Sequence, residues 1–329
     1  MQQPQRPGPL EVSVVMCTYN GARYLREQLE SIARQSRLPA ELIVCDDGSD
    51  DETVAMLYAF ARQVPFPVRI FENPARLGST RNFDQAIGLA SGELIALCDQ
   101  DDLWAQEKLE RLSDILIADD SLGGVFSDAA LIDGNGRALG MTLFEKHRFT
   151  VRKQREFLDK PDTVLLKRDV VTGATLMFRA ALLPNLSPIP PSWVHDAWLA
   201  WMISLHSKLA LTTAALTSYR IHEGQQLGIS SARTKQGTAP VETRRGHYAR
   251  VAHQFEDLAD HLLHSGWTDK EDIIHRVRAK IAFLHRESML STSILIRVLQ
   301  MIGLFPLYLH YARGLGAMRT DLLLGRETS

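Results

Sequence analysis

Asp99, Asp101 and Asp102 fall within four positions at the end of the apolar run Leu94–Cys98, inside the segment GELIALCDQDDLW. Carboxylates that close repel one another, so they are either fully solvated or gathered around a positive charge. A strand that delivers acids to its carboxyl end, where open α/β sheets keep their ligands, suits a divalent cation and the phosphates it holds. The plainer alternative is a solvated acidic turn before the helix that starts near Gln106, with Asp102 as a helix cap. A second acid-rich turn, Asp46-Asp47-Gly48-Ser49-Asp50-Asp51, follows the run Leu42–Cys45, and Thr18-Tyr19-Asn20-Gly21 follows Val12–Cys17. Asp196 sits in the first turn of a helix opened by Val194-His195, a position the helix dipole favours for any acid. Arg220 and His222 close a later strand in Tyr219-Arg220-Ile221-His222.

These turns need elements to carry them. Strands are expected at Val12–Cys17, Leu42–Cys45, Val68–Phe71, Leu94–Cys98, Gly124–Ser127, Thr172–Phe178, Leu209–Leu216 and Ser218–Ile221. Helices alternate with the first four, one with Leu25, Leu29 and Ile32 at helical spacing, one from Glu52, and one over Ser79–Ala90. Such alternation predicts βαβ units, hence an α/β fold with a mainly parallel, Rossmann-like sheet flanked by helices. The polar ends of the first, second and fourth strands then meet on one rim. No GxGxxG follows the first strand and no GxxxxGK[ST] occurs, so a nucleotide bound here is gripped by side chains and not by a glycine cradle. Lys146–Arg168, basic and poorly periodic, reads as a surface excursion.

The 329 residues suffice for one large domain or two modest ones, and a net charge of −2 argues against nucleic acid as a partner. Cys17, Cys45 and Cys98 lack zinc-site spacing and read as reduced core thiols. The amino terminus has no apolar signal region, which suggests a cytoplasmic protein with a flexible tail over 1–11. Glu223–Val241 is rich in Gly, Gln, Ser and Thr and is the best boundary in the chain. Beyond it, 12 Lys/Arg against 10 Asp/Glu and helical periodicity predict helices at about Arg244–His264, Asp269–Met289 and Ser293–Leu323. The apolar stretch Ile294–Leu309 is shorter than the roughly 20 residues of a spanning helix. It either packs against the other helices, the favoured reading, or lies in a membrane interface.

Taken in order, VSVVMCTYNGARYLREQLESI, VCDDGSDDET, ASGELIALCDQDDLW, TGATLMF, HDAWLAW and YRIH resemble the inverting family 2 glycosyltransferases of GT-A fold. Bacterial rhamnosyltransferase-like and surface-polysaccharide transferases carry DQDD-x-W, HD-x-W and YR-x-H in the same places. The likeness covers about Val12–His222 and resides in the ordered set of six. It implies a GT-A domain over 12–235 and a helical C-terminal region over 236–329.

For the site, the resemblance implies Thr18, Tyr19 and Asn20 beside a nucleoside, and Asp47 on the imide N–H that uracil and thymine share. It implies Asp99 and Asp101 as ligands of Mn²⁺ or Mg²⁺, Asp99 also reaching the ribose, with His222 at the metal and Arg220 on the diphosphate. Arg81, with Arg76 and Asn82, is a weaker nucleotide candidate, and Gln225-Gln226 departs from the Asn usual there. Asp196 corresponds to the base that deprotonates the acceptor hydroxyl, with Thr172, Gly173 and Trp198 near acceptor or sugar, while Trp201 reads equally well as core. The implied partners are a dTDP- or UDP-sugar donor, rhamnose foremost, and a glycan or lipid-linked glycan acceptor, with peripheral membrane contact through the C-terminal helices. Oligomeric state stays open. The alternatives are a sugar-nucleotide pyrophosphorylase, whose glycine-rich opening is missing, and a non-catalytic nucleotide- or glycan-binding relative, against which Asp99, Asp101 and Asp196 argue.

Overall fold

The computed structural model of the chain describes residues 10–223, 243–264, 271–291, 293–312 and 314–323. These residues fall into two compact units. The first holds the described residues of Met1–Pro161 and Val170–Lys235, the second those of Asp162–Asp169 and Gln236–Ser329.

The first unit is built on one sheet. It opens with β1 (Val12–Thr18), α1 (Ala22–Ala33), β2 (Glu41–Asp46), α2 (Thr53–Ala61), β3 (Val68–Glu72), α3 (Ser79–Gly88) and β4 (Leu94–Asp99). These strands lie parallel in the order β3-β2-β1-β4, as alternating strand and helix require. β1, β2 and β4 are continuous apolar runs because helices cover both faces. Val12, Val14 and Met16 pack with Leu25, Leu29, Leu57 and the apolar stripe of α4 (Lys108–Ala118), while α3 lies against β1 and β2.

Past β4 the sheet becomes mixed. β5 (Leu103–Trp104), β6 (Leu122–Asp133), β7 (Ala138–Thr142), β8 (Leu176–Arg179) and β9 (Lys208–Ile221) continue it as β4-β8-β6-β9-β5, with β7 on β6. β8 is antiparallel to both neighbours, whereas β6 and β9 run parallel. The two strands expected over Leu209–Ile221 are one strand whose register slips against β6 around Ser127 and Asp128. The expected strand at Thr172–Phe178 begins instead as a tight 3-10 turn, Gly173–Thr175, before β8.

Lys146–Arg168 is not a surface excursion. After α5 (Leu143–Lys146) it forms α6 (Val151–Asp159) and α7 (Pro161–Leu165), with Val164, Leu165 and Leu166 buried. Phe157 packs edge-on to Phe126 and Phe149, which outweighs the basic residues on the outer face. α8 (Leu183–Leu186) leads to α9 (His195–His206), whose residues are nearly all buried; accordingly it is apolar on every side.

The second unit contains α10 (Arg244–His264), α11 (Glu271–Ser288), α12 (Ile294–Gly303), α13 (Phe305–Tyr311) and α14 (Leu315–Leu323). The single last helix expected from Ser293 is broken into three, at Leu304 ahead of Pro306 and again before Leu315, where Gly314 has φ +64°. Residues 224–242, which hold Gln225-Gln226 and most of the expected boundary, lie outside the described residues, as does most of the tail.

Candidate functional site

Register fixes the rim. Thr18 pairs with Asp46 and Cys17 with Asp99, so β1, β2 and β4 end level and release their turns side by side. Gln100, the residue between the acids, ties the first turn to the third. Its amide accepts the Tyr19 N–H at 2.9 Å and donates to the Tyr19 carbonyl at 3.1 Å. A side chain at Gly21 would collide with that amide.

The first and second turns are likewise joined. Thr18 is buried and donates its hydroxyl to Asp46 at 2.7 Å, while Asn20, at φ 47°, accepts the Asp50 N–H at 2.9 Å. The Thr18 hydroxyl thus holds the two loops together. Asp47 is buried and accepts N–H groups from Leu77 at 2.6 Å and Gly78 at 2.9 Å, and the Asn73 amide at 3.1 Å. A carboxylate has about four acceptor positions, which leaves about one, on Oδ2, with the Arg76 guanidinium 3.9 Å from that oxygen. The Arg76 guanidinium lies 3.8 Å above the Tyr19 ring, and Arg81 is exposed in the first turn of α3. Asn82 is buried and spends its amide on the Cys45 carbonyl and Asn73, so it is structural.

The acids after β4 have three different environments. Asp101 Oδ2 lies 2.8 Å from His222 Nε2. Asp99 has its carboxyl pushed up to about 7, first by burial and then by repulsion from Asp101 and Asp196, with Lys108 opposing. Asp102 does not cap α4, whose N-cap is Glu107 without a side-chain cap bond. It is fully buried, accepts the Arg220 N–H at 2.9 Å, and is raised well above the usual carboxylate range by burial and by its two neighbours.

Arg220 also differs from its expected role. Its side chain is 1 % exposed and donates to the Asp101 carbonyl at 2.7 Å and to Glu27 at 2.7 Å, over the Tyr24 ring. The guanidinium is thus committed to fixing the Asp101 turn and is not displayed to a diphosphate. His222 stands beside the same Tyr24 ring, centroids 4.6 Å apart.

Asp196 is brought to this rim by α9. Its Oδ2 accepts the Gly173 N–H at 3.1 Å and Oδ1 accepts the Ala197 N–H at 2.7 Å, yet burial still raises its carboxyl. Gly173 must lack a side chain, since a Cβ there would stand 2.8 Å from His195 Nε2. Thr172 closes the same turn, its carbonyl accepting both the N–H and the hydroxyl of Thr175. The strongest sign of convergence is Tyr219. Its phenol, already raised by burial, is raised further by Asp102, Asp99, Asp101 and Asp196 together. Trp198, expected to face a sugar, is instead 1 % exposed with its indole N–H given to the Leu186 carbonyl at 2.8 Å, and a stacking platform needs a bare face.

Lys108 is a site residue that the motifs alone do not reveal. It is completely buried, donates to the Ala174 carbonyl and, at 3.0 Å, to the Thr217 hydroxyl, and stands 3.8 Å over the Trp104 ring. Burial lowers its ammonium to about 7 although Cys98, Asp102 and Asp99 oppose the shift. A readable signal exists: Lys108 shares the helical face of Leu112 and Leu116.

A divalent ion fits part of this set. Among the described residues no three His, Cys, Asp or Glu side chains form a complete ligand group. Asp101 and His222 nevertheless bring two donor atoms to one point, and one or two protein ligands plus substrate phosphates is the ordinary arrangement for Mg²⁺.

Residues 13–182, just over half of the chain, match the family described as Glycosyl transferase family 2. The chain belongs to that family. Among curated relatives, an uncharacterized glycosyltransferase of Nostoc sp. is 24 % identical over 269 residues, covering 80 % of this chain and 79 % of its own. The Escherichia coli WfgD, named as a UDP-Glc:alpha-D-GlcNAc-diphosphoundecaprenol beta-1,3-glucosyltransferase, is 27 % identical over 124 residues, 38 % of this chain and 47 % of its own. Among solved structures, S. aureus TarS 1-349 with UDP-GlcNAc superposes with a TM-score of 0.55 at 19 % identity, covering 96 % of this chain and 90 % of that one. A Pyrobaculum calidifontis mannosyltransferase with GDP-Man and Mn²⁺ gives 0.51 at 18 %, covering 98 % and 88 %. At such identities the structures establish the fold, a GT-A-like mixed α/β sheet with added C-terminal helices, and the family membership makes the chain a glycosyltransferase.

Proposed function

We propose that the chain is a metal-dependent, inverting glycosyltransferase that moves a hexosyl or deoxyhexosyl unit from a dTDP- or UDP-sugar to a hydroxyl of a glycan or lipid-linked glycan. The observation that supports this reading is that Asp196 is bonded to the Gly173 N–H, on the turn that leads into β8, the strand paired with the β4 that carries Asp99 at its end, although the two acids are almost a hundred residues apart in sequence. Inversion needs one carboxylate on the acceptor side, opposite the departing diphosphate. In this reading Asp196 takes the acceptor hydroxyl's proton as that oxygen bonds to the anomeric carbon, and the electrons of the broken C–O bond leave on the diphosphate. Its raised carboxyl is a better base near neutrality than an ordinary aspartate.

Asp101 and His222 would hold Mg²⁺ or Mn²⁺, with Asp99 completing the set directly or through water and ribose. When bound, the ion supplies Lewis-acid neutralisation of the diphosphate. Tyr19 and Arg81 line the nucleotide end, and the acceptor position left on Asp47 suits the imide N–H of uracil or thymine. The UDP-sugars of TarS and WfgD support that donor class, while the GDP-Man of the archaeal structure belongs to the same fold with another base. Rhamnose as the sugar rests on the ordered motifs alone. A lipid-linked acceptor, as in the name of WfgD, brings the reaction to a membrane surface.

Thermal-shift titration with UDP, dTDP, GDP and CDP, with and without Mn²⁺, tests the donor assignment, because a ligand that binds only the folded chain stabilises it by mass action. Stabilisation by UDP or dTDP, strengthened by the ion, is expected. Stabilisation by GDP alone would remove Asp47 from its role.

A further inference from the structure

The helices α12 and α13 are inside out. On α12, Leu295 is 76 % exposed, Leu299 70 % and Ile302 62 %, with Ile294 and Ile296 over half exposed, while the buried positions are Arg297 and Met301. The outward face continues on α13 through Phe305 and Leu309. An ordinary surface helix has the reverse distribution, with its cation in water and its aliphatic side chains beneath.

The buried polar groups beneath these helices are tied to one another. Arg297 donates to the Ser291 carbonyl at 2.7 Å and reaches the carbonyls of Asp321 and Leu322 at 3.5 and 3.4 Å. The Tyr308 hydroxyl is 2.6 Å from Glu287 and 3.0 Å from Asp321, which also receives the Tyr248 hydroxyl at 2.6 Å. What remains outside is a contiguous apolar surface, the kind that marks a protein or membrane contact.

Charge chooses between these occupants. Residues 288–320 contain no Asp or Glu but do contain Arg297, Arg313, Arg319 and His310. The acids that border the stretch, Glu287 and Asp321, are 1 % exposed and hydrogen-bonded to tyrosines. The stretch itself therefore displays no negative charge, while His310 on α13 and Arg319 on α14 are exposed. A second copy laid on this stretch would offer its cations no acidic partner, whereas an anionic headgroup layer is complementary.

Length argues against crossing the bilayer. Ten and seven residues give helices of about 15 and 10 Å, against a hydrocarbon core of about 30 Å. They are bent by 67° from one another, and among the described residues no single helix is long and apolar enough to span.

We propose that the α12–α13 face is a monotopic docking surface that lies in the interface of an anionic bilayer, its aliphatic side chains among the upper acyl chains and Arg319 among the headgroups. The inference stands on the burial pattern of this unit and not on the donor or acceptor assigned above.

Co-sedimentation of the full chain with phosphatidylcholine vesicles, with and without phosphatidylglycerol, tests it. Binding to the phosphatidylglycerol vesicles is expected, weakening as salt is raised. Leu295→Glu and Leu299→Glu, both at exposed positions, should each lower partitioning roughly tenfold or more, because each removes a leucine's burial in the interface. Arg319→Glu, which leaves the apolar face intact, should weaken binding at low salt and matter little at high salt. Turnover of a water-soluble acceptor should be unchanged in all three. Absence of vesicle binding, or binding indifferent to these substitutions, would overturn the proposal. So would light scattering that shows self-association abolished by Leu299→Glu while vesicles stay unbound, since that would make the occupant a second copy.

Discussion

His222 Nε2 lies 2.8 Å from Asp101 Oδ2, which fastens the end of β9 to the acidic turn after β4. Arg220, two residues earlier, fastens the same turn through the Asp101 carbonyl, and Asp102 returns a bond to the Arg220 N–H. β9 is therefore the frame that shapes the acid cluster, with the His222–Asp101 hydrogen bond at its edge.

Replacing His222 by Ala should weaken divalent-ion binding about 10- to 100-fold if the ring is a ligand. Isothermal titration of Mn²⁺ in the presence of UDP is the measurement. An unchanged ion affinity would make His222 a hydrogen-bond partner of Asp101 only.

The shift of Asp99 predicts a signature in stability. Its folded carboxyl is raised from 3.8 to about 7, so the protonated form is favoured in the fold, and that contribution is present below pH 4 and lost as pH rises through 7. Asn at position 99 lacks this penalty. The melting temperature of Asp99→Asn relative to the unaltered chain, measured without metal or nucleotide, should rise from pH 4 to 7 and then level off. A difference independent of pH would contradict the burial and repulsion assigned to Asp99.

Lys108 predicts a division between chemistry and binding. Its ammonium holds the Ala174 carbonyl, and the turn containing Ala174 presents the Gly173 N–H to Asp196. Lys108→Met keeps the buried stem and removes those hydrogen bonds, and should lower kcat by roughly tenfold or more while KM for the donor moves little. A melting temperature close to that of the unaltered chain separates this from simple loss of fold, which lowers the active concentration and so the apparent kcat at unchanged KM.

The parts of this arrangement that were legible in sequence are those with local signals. The alternating runs Val12–Cys17, Leu42–Cys45 and Leu94–Cys98 place β1, β2 and β4, and the acids after them fall at strand ends because the parallel register aligns those ends. Long-range hydrogen bonding was not legible. Nothing local marks Thr18 as a partner of Asp46, Asp102 as a receiver of the Arg220 N–H, or Arg220 as buried against Glu27. Trp198 and Trp201 look alike on α9, and Trp198 makes no sugar platform because the Leu186 carbonyl claims its N–H within the core. The basic composition of Lys146–Arg168 hid Phe157, whose ring packs on Phe126 and Phe149 only once the chain is folded.

Raised carboxyls also set the direction of pH dependence in catalysis. Asp196 is lifted by burial and, as the proposed base, must be ionised to accept a proton, so kcat should fall on the acid side at a pH above that of a free aspartate. A pH–rate profile flat down to pH 4 would show that no such group limits the reaction.

The central claim is that Asp196 removes the acceptor's proton and takes no part in holding the donor. Asp196→Asn is nearly isosteric and its one amide oxygen can still accept the Gly173 N–H, giving up only the Ala197 N–H, so the turn should survive. Measured side by side on that variant, sugar transfer should fall by at least about a hundredfold, while affinity for UDP or dTDP with Mn²⁺ stays within about twofold. Loss of nucleotide affinity together with activity, or transfer that persists, would contradict the account.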